Sequence, residues 1–244
     1  NGGSSTGSAA ESGDNPAYNH QANTTAGFSI ITYTGTGATG TIAHGLGAVP
    51  ELIICKQRSN AESWGVYHGS NTAAPETDYL LLDTTAATAD NSNRWGDTAP
   101  TSSVFTVDTA NEVNTDGRTY VAYVFTSIQG YSKFGSYTGN GNADGPFVYT
   151  GFKPAWVMVK DSSNTGAWTI FDKKRGASMG ANDHSLKASD TDAEYTSENW
   201  IGFVSNGFKL EGTNDDANGS STYVYLAFAD QPFVTSGGVP CTAR

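Results

Sequence analysis

The feature of this sequence that most restricts its fold is an internal repeat. The segment YTGTG at Tyr33–Gly37 recurs as YTGNG at Tyr137–Gly141, 104 residues further along. Further matches follow in the same order at offsets of 103 to 105 residues: Gly47 with Gly151, Pro50 with Pro154, Lys56 with Lys160, Ser59–Asn60 with Ser163–Asn164, Trp64 with Trp168, Trp95 with Trp200 and Phe105 with Phe208. We therefore predict a tandem duplication of a unit of about 100 residues.

Each repeat is predicted to be all-β. Short runs of aromatic and β-branched residues, such as TYVAYVF at Thr119–Phe125 and TYVYLAF at Thr222–Phe228, are separated by Gly, Asn and Asp. Charged residues make up only 15% of the chain, which disfavours long helices. About seven such runs per repeat is the size of one β-sandwich. We predict two jelly-roll-like sandwiches with pseudo-twofold symmetry, over 28–130 and 131–244; one larger sandwich also fits.

The first 27 residues differ in composition from the repeats. Residues 1–27 are rich in Gly, Ser, Asn and Thr and hold almost no large apolar side chains. Such a composition predicts a flexible linker or arm. The chain begins at Asn1 without a signal-peptide pattern, so we expect either part of a longer polypeptide or a processed product.

The charge balance restricts the class of partner. The chain has 24 acidic and 13 basic residues, a net charge of −11, and its one basic cluster, Lys173–Arg175, is typical of a solvated turn. An acidic surface repels nucleic-acid phosphates and anionic lipids. No stretch approaches the roughly 18 apolar residues of a membrane span. We predict neither nucleic-acid binding nor membrane insertion.

Metal-binding patterns are weak. The HExxH and CxxC motifs are absent, and the four histidines are dispersed: His20, His44, His68 and His184. Under the repeat alignment, His44 matches Val148 and His68 matches Asp172, so the duplicate keeps neither. Asp190–Glu194 and Asn214–Asp216 hold clustered oxygen ligands for calcium, although solvated acidic turns of this kind are more common. We predict no metal site and no cofactor.

Catalytic motifs are also weak. There is no Gly-x-Ser-x-Gly or Ser-x-x-Lys pattern, and Cys55 lies inside the apolar run LIICK. A disulfide between Cys55 and Cys241 stays open. Asp83 and Asp172 end apolar runs, a setting that raises the pKa of a general acid, but an Asp at the end of a strand more often begins a turn. The YTGxG segments lack the Lys-Ser/Thr of phosphate loops and predict tight turns with positive φ. We predict that the chain is not an enzyme.

Tryptophans and loops are the remaining candidates for ligand binding. Trp64, Trp95, Trp156, Trp168 and Trp200 suit sugar stacking, but residues kept in both repeats are more simply core positions. Loops that differ between the repeats are the better candidates: Asn71–Asp78, Ala87–Pro100, Ala177–Asp183 and Asp190–Asn199. No individual ligand-binding residue follows from the sequence.

Three long segments carry a family resemblance: GFSIITYTGTG, YVAYVFTSIQGYSKFGSYTGNGNADGPFVYTGFKPAWVMVK and AFADQPFVTSGGVPCTAR. From Gly27 to Arg244, the chain resembles a family of proteins found in bacteriophages, especially marine and cyanobacterial ones. In that family the module commonly forms the C-terminus of longer proteins that look like tail fibres or other virion-surface components. The resemblance implies a location on the virion surface and supplies no site residues.

The sequence therefore leaves several functions open. The first is a tail-fibre or spike-type structural module for host attachment, which assembles with copies of itself and other virion proteins and recognises a host-surface glycan or envelope protein. The alternatives are a capsid decoration protein with a purely architectural role, and a carbohydrate-binding module of a secreted glycan-degrading protein with exposed aromatic rings in a row. A glycan hydrolase would need two carboxylates about 5–10 Å apart in a groove. We expect a homo-oligomer with the N-terminal segment packed against neighbouring copies.

Overall fold

The computed structural model describes residues 4–176 and 183–231, and nearly all regular structure in these ranges is β-strand. The chain forms two compact units. Unit 1 contains the residues up to Leu82 together with Thr88–Thr126, and unit 2 contains Asp83–Ala87 together with the residues from Ser127 onward. The five residues 83–87 therefore belong to unit 2, although unit 1 residues precede and follow them in the sequence.

Unit 1 consists of ten strands and one short helix. In chain order they are β1 (Ser4–Ala9), β2 (Tyr18–Asn23), β3 (Phe28–Thr34), β4 (Gly40–Ala43), β5 (Leu52–Gln57), β6 (Trp64–His68), β7 (Asp78–Leu81), β8 (Ala89–Asp90), β9 (Val104–Val107), α1 (Asn111–Asn114) and β10 (Thr119–Phe125). Eight strands form one antiparallel sheet in the order β1-β2-β3-β10-β5-β6-β7-β8, and β4 pairs with β9 in a second sheet.

Unit 2 consists of nine strands and one short helix within the described ranges. They are β11 (Ser132–Thr138), β12 (Phe147–Tyr149), β13 (Pro154–Asp161), β14 (Trp168–Asp172), β15 (Asp183–Lys187), β16 (Tyr195–Glu198), β17 (Ile201–Val204), β18 (Gly207–Leu210), α2 (Asp215–Asn218) and β19 (Thr222–Ala229). The larger sheet has the order β11-β19-β13-β14-β15-β16, and the smaller has the order β12-β18-β17.

In each unit the two sheets enclose a hydrophobic core. In unit 1, Ile31 and Tyr120 of the large sheet share a buried cluster with Ile42 and Phe105 of the small sheet. In unit 2, Phe171 of the larger sheet belongs to a corresponding cluster with strands β12, β17 and β18. Alternating side chains explain this: in β3 every second residue, Ser29 to Tyr33, is buried. The prediction of an all-β sandwich fold is confirmed.

The two units share one strand order. From β3 to β8 the large sheet of unit 1 runs β3-β10-β5-β6-β7-β8, and unit 2 repeats this with β11-β19-β13-β14-β15-β16. In both units the apolar strand is central, with β5 between β10 and β6 and β13 between β19 and β14. The common order supports the predicted duplication, which itself stays a prediction.

The N-terminal segment contradicts its sequence prediction. Residues 4–23, predicted to lie in a flexible linker, form β1 and β2, and β2 pairs along β3 from Tyr18 opposite Tyr33 to Asn23 opposite Phe28. The prediction failed because it rested only on the polar composition of the side chains. Strand pairing at the edge of an existing sheet uses backbone N–H and C=O groups, which polar residues supply equally well.

Candidate functional site

The repeated YTGxG segments are structural turns. In the middle of each, a glycine passes so close to another loop that an added Cβ would overlap a carbonyl oxygen, that of Thr115 at Gly35 and that of Gly219 at Gly139. The next glycines, Gly37 and Gly141, have φ of 69° and 62°. Side chains other than glycine rarely adopt such angles. The predicted tight turns with positive φ are therefore confirmed.

A pair of stacked tyrosines lies beneath each turn. In unit 1 the rings of Tyr33 and Tyr120 are 4.9 Å apart at 12°, and in unit 2 those of Tyr137 and Tyr223 are 5.0 Å apart at 9°. Each motif tyrosine donates its hydroxyl hydrogen to a backbone carbonyl of the short helix: Tyr33 to Val113 at 2.5 Å and Tyr137 to Ala217 at 2.6 Å. Burial raises the pKa of both hydroxyls well above the ordinary value, so both stay protonated.

A buried asparagine closes each turn. Asn114 accepts a hydrogen bond from the backbone N–H of Thr36 at 2.9 Å and donates to the carbonyl of Ala38 at 2.6 Å. Asn218 does the same for Asn140 at 3.0 Å and Asn142 at 2.8 Å. Sequence analysis missed both residues, although their separation equals the repeat offset.

These contacts explain why the motif occurs twice. The turn, the tyrosine pair and the asparagine bond to one another within each unit, and their polar atoms are used by the fold. Asn114 and Asn218 are 0% and 1% exposed, which leaves no surface for a ligand. The repeated motif therefore stabilises each sandwich.

A second device pairs each short helix with a cation that lies over a tyrosine ring. In unit 1, Arg94 bonds Glu112 of α1 at 3.0 Å and lies 3.3 Å from the ring centroid of Tyr79. In unit 2 the acid is Asp216 of α2, and its cation, Lys187, is 3.0 Å away. These ion pairs attach the helix to the outer strands of the sheet.

Unit 2 also holds a buried lysine. The Nζ of Lys160 donates to the carbonyl oxygens of Asp161, Thr85 and Asn164, the last two at 3.4 Å. Burial lowers the pKa of Lys160 to about 8, against the opposing attraction of Asp161 and Asp216. The segment 83–87 is thereby held to unit 2 through the carbonyl of Thr85.

Of the histidines and cysteines, His44 and Cys55 are buried in unit 1. His44 is buried; its Nδ1 accepts from the N–H of Leu46 and its Nε2 bonds the carbonyl of Thr101, and burial lowers its pKa. Cys55 is a free, buried thiol whose pKa burial raises to about 12. Cys241 lies outside the described residues.

The candidate general acids are surface residues at turns. Asp172 accepts the N–H groups of Lys174 and Arg175, which is the predicted role of an Asp at the end of a strand. Arg175 then bridges Asp172 at 2.5 Å and Glu194 at 3.1 Å. Asp83 is exposed.

The calcium candidates are engaged by the protein itself. Asp190 accepts the backbone N–H of Asp192, and Asn214 caps α2 by accepting the N–H of Asp216. Over residues 4–176 and 183–231, no three His, Cys, Asp or Glu side chains come together as a metal site.

Three of the five tryptophans are core residues. Trp95, Trp168 and Trp200 are at most 4% exposed, as predicted, while Trp64 and Trp156 are partly buried. None of the five is an exposed platform for a sugar ring.

The predicted ligand loops differ in how far the structure describes them. Asn71 of the first loop and Arg94 of the second are buried. The loop 177–183 lies outside the described residues, except that Asp183 begins β15, and the loop 190–199 contains β16.

The exposed aromatic side chains of the described chain lie elsewhere, on β12 of unit 2. Phe147 is 49% exposed and Tyr149 is 59% exposed, whereas Val148 between them is buried. The strand alternation therefore places both rings on one outer face. We call Phe147 and Tyr149 the β12 aromatic pair.

Neighbouring residues hold the β12 aromatic pair in place. Gly207 lies opposite Tyr149 in β18, and a Cβ there would come within 3.0 Å of the Phe147 ring. Lys133 donates to the carbonyl of Tyr149 at 3.2 Å and lies 5.5 Å from its ring centroid. Lys209, opposite Phe147, bonds Asp144.

Unit 1 has no such pair at the equivalent strand. Ile42 of β4 lies opposite Phe105, as Val148 lies opposite Phe208, so the flanking positions in β4 are Thr41 and Ala43. The gapless repeat alignment, which matched His44 to Val148, is wrong by two residues here because the loops on either side of the strand differ in length. Because of this shift, the repeat alignment did not reveal the aromatic pair. A corrected alignment sets the aromatic residues of FVY (147–149) beside the small residues of TIA (41–43).

Comparisons with known proteins identify a family. The model of the family described as "Domain of unknown function (DUF7483)" matches residues 3–232, and the chain belongs to this family. No curated protein and no solved structure matches the chain. Over the described ranges, no helix is long and apolar enough to cross a membrane.

Proposed function

We propose that this chain is a non-enzymatic virion-surface protein, a tail-fibre or spike-type module for host attachment, and that unit 2 binds a host-surface glycan. The observation that carries the proposal is the β12 aromatic pair. Phe147 and Tyr149 expose about half of their surface side by side, on a chain whose other large aromatic residues are mostly packed.

Aromatic rings of this kind suit sugars. The C–H face of a pyranose packs on an aromatic ring, and the ring's polar neighbours bind the hydroxyl groups. Residues two apart in a strand are separated by about 7 Å, so two rings can contact adjacent parts of one chain of sugars. The hydroxyl of Tyr149 and the ammonium group of Lys133, 5.5 Å from the centroid of that ring, are polar groups available to bind the hydroxyls of a sugar.

The site is prepared before a ligand arrives. Phe147 packs over Gly207, and Lys133 is bonded to the backbone of Tyr149. Little side-chain freedom is lost on binding, and that lowers the cost of recognition.

Two further observations support the proposal. The resemblance of Gly27–Arg244 to bacteriophage surface proteins supports the proposed location. Asp172, one of the two carboxylates considered for catalysis, caps a turn and pairs with Arg175. A binding module fits these features better than a hydrolase.

The test is binding of the purified chain to an array of bacterial surface polysaccharides and to whole bacterial cells. We expect saturable binding to one polysaccharide. We expect the double variant F147A/Y149A to bind about 5- to 150-fold more weakly, because two stacking contacts of about 0.5–1.5 kcal/mol each are lost. The control is V49A, because Val49 is an apolar side chain of similar exposure, 51%, in unit 1.

Thermal unfolding of all variants establishes that they are folded. Unchanged binding by F147A/Y149A would place recognition elsewhere and overturn the aromatic site. No binding to cells or polysaccharides would overturn the attachment role and favour the architectural one on a capsid or tail.

A further inference from the structure

The outermost strand of unit 1 has the features of a pairing edge. β1 lies at the end of the eight-stranded sheet, and its sequence, SSTGSA, contains no charged residue, no proline and no large side chain. Five of its six residues are exposed. The strand therefore contributes backbone hydrogen-bonding groups and buries almost nothing of its own.

The register identifies which residues face outward. The N–H of Thr34 in β3 donates to the carbonyl of Ala17, just before β2. Odd-numbered residues of β2 therefore bond β3, and even-numbered ones bond β1. β1 pairs with β2 from Ser4 opposite Asn23 to Ala9 opposite Tyr18. Because bonding alternates along an antiparallel strand, the outward N–H and C=O groups of β1 belong to residues 4, 6 and 8.

Two other edge strands, β11 and β8, are better protected. β11 in unit 2 occupies the position that β3 has in unit 1. In this strand Ser132 is bonded to Ile128, and the N–H of Phe134 is bonded to the side chain of Ser127. Lys133 adds a charge. β8 is only two residues long and ends in Asp90. Proteins blunt edge strands with such charges, short lengths and local bonds. β1 has none of these features.

From this we infer that β1 pairs with β1 of a second copy of this chain, antiparallel and across a twofold axis at Thr6. The outward residues are spaced evenly about Thr6, so Ser4 of one copy meets Ser8 of the other, and Thr6 meets its own equivalent. Three bonded residue pairs give about six backbone hydrogen bonds. The two eight-stranded sheets become one continuous sheet.

The side chains of the edge favour a second copy as the occupant. A self-complementary twofold interface needs a strand whose two halves match, and Ser4 and Ser8 are identical. Gly7 packs directly on the ring of His20, which keeps the strand flat against β2. Beside β1, a cleft of about 550 Å³ contains the exposed Ile30, and the joined sheet extends its wall.

The expected dimer is weak and depends on salt. Six hydrogen bonds with little apolar burial belong to the smallest class of interface, so we expect a dissociation constant of about 10–100 µM. The net charge of −11 on each copy opposes association, and salt screens that repulsion. This inference is independent of the β12 aromatic pair.

The experiment is sedimentation equilibrium of the whole chain from about 5 to 500 µM, at low salt and at about 0.5 M salt. The wild-type chain is expected to double its mass with concentration, more readily at high salt. Thr6→Pro removes an outward N–H and leaves the bonds to β2, and we expect it to weaken the dimer at least about tenfold. Thr6→Ala is the matched control, because it removes the same side chain and keeps the N–H.

Each outcome decides the inference. A wild-type chain that stays monomeric at the highest concentration overturns it. A dimer that T6P leaves intact shows that the interface lies elsewhere, and a dimer that T6A disrupts as strongly as T6P assigns the contact to the side chain. Hydrogen exchange of residues 18–23 checks that β2 stays paired in T6P.

Discussion

Unit 1 and unit 2 are built alike inside and differ at one side of the sandwich. Each contains a YTGxG turn, a stacked tyrosine pair and a buried asparagine with matching hydrogen bonds. In unit 1 the N-terminal segment lies beside β3 and β4: β2 pairs with β3, and Asn15 accepts the N–H of Thr41 in β4. In unit 2 the equivalent strand β12 carries the exposed Phe147 and Tyr149.

The difference arises from chain length between strands. β3 is preceded by enough residues to form a two-stranded cover, whereas only the six residues 126–131 separate β10 from β11. Six residues cannot form two further strands. The same fold therefore offers a covered side in unit 1 and an exposed aromatic side in unit 2.

The largest expected effect tests whether the asparagines are equivalent. Asn114→Ala and Asn218→Ala each leave several buried backbone groups without partners, so we expect each to lower the free energy of unfolding by about 3 kcal/mol. Hydrogen exchange should accelerate around Thr36 in the first variant and around Asn140 in the second.

Asn60→Ala is the matched control, since Asn60 is exposed, and it should change stability by less than about 0.5 kcal/mol. If only one of the two asparagine variants is destabilised, the equivalence of the units fails.

A smaller effect is expected from the tyrosine hydroxyls. Tyr33→Phe and Tyr137→Phe remove one buried hydrogen bond each, and the cost should be about 1–2 kcal/mol in both. Urea unfolding measures it, with Tyr149→Phe, an exposed tyrosine, as the control. A difference of more than about 1 kcal/mol between the two variants would show that the two turns contribute differently to stability.

The smallest expected effect is confined to unit 1 and depends on pH. Burial lowers the pKa of His44 from its ordinary value of 6.5, so below pH 6.5 the unfolded chain binds the proton more readily than the folded chain. Stability should fall as the pH drops from 7 to 5. His44→Gln should reduce that slope, as unfolding measurements across this pH range would show; an equal slope in the wild-type chain and the variant would contradict the assignment.

Much of the fold was predictable because strand signals are local. Alternation in FSIITYT and TYVAYVF and the breaks at glycine and asparagine gave the strands and the all-β class. The three buried tryptophans followed from their recurrence at the repeat offset. Asn114 and Asn218 recur in the same way, but a polar residue gives no burial signal and was overlooked.

The sequence by itself determined most of the strands after residue 27, the positions of the tight turns and the recurrence of the YTGxG motif. Only the tertiary structure decided that residues 4–23 are strands, that residues 83–87 belong to unit 2 and that Phe147 and Tyr149 are exposed. The physical reason is the range of the interactions. Side-chain alternation acts within a few residues, whereas the pairing of an edge strand and the exposure of a side chain depend on what lies beside them in space.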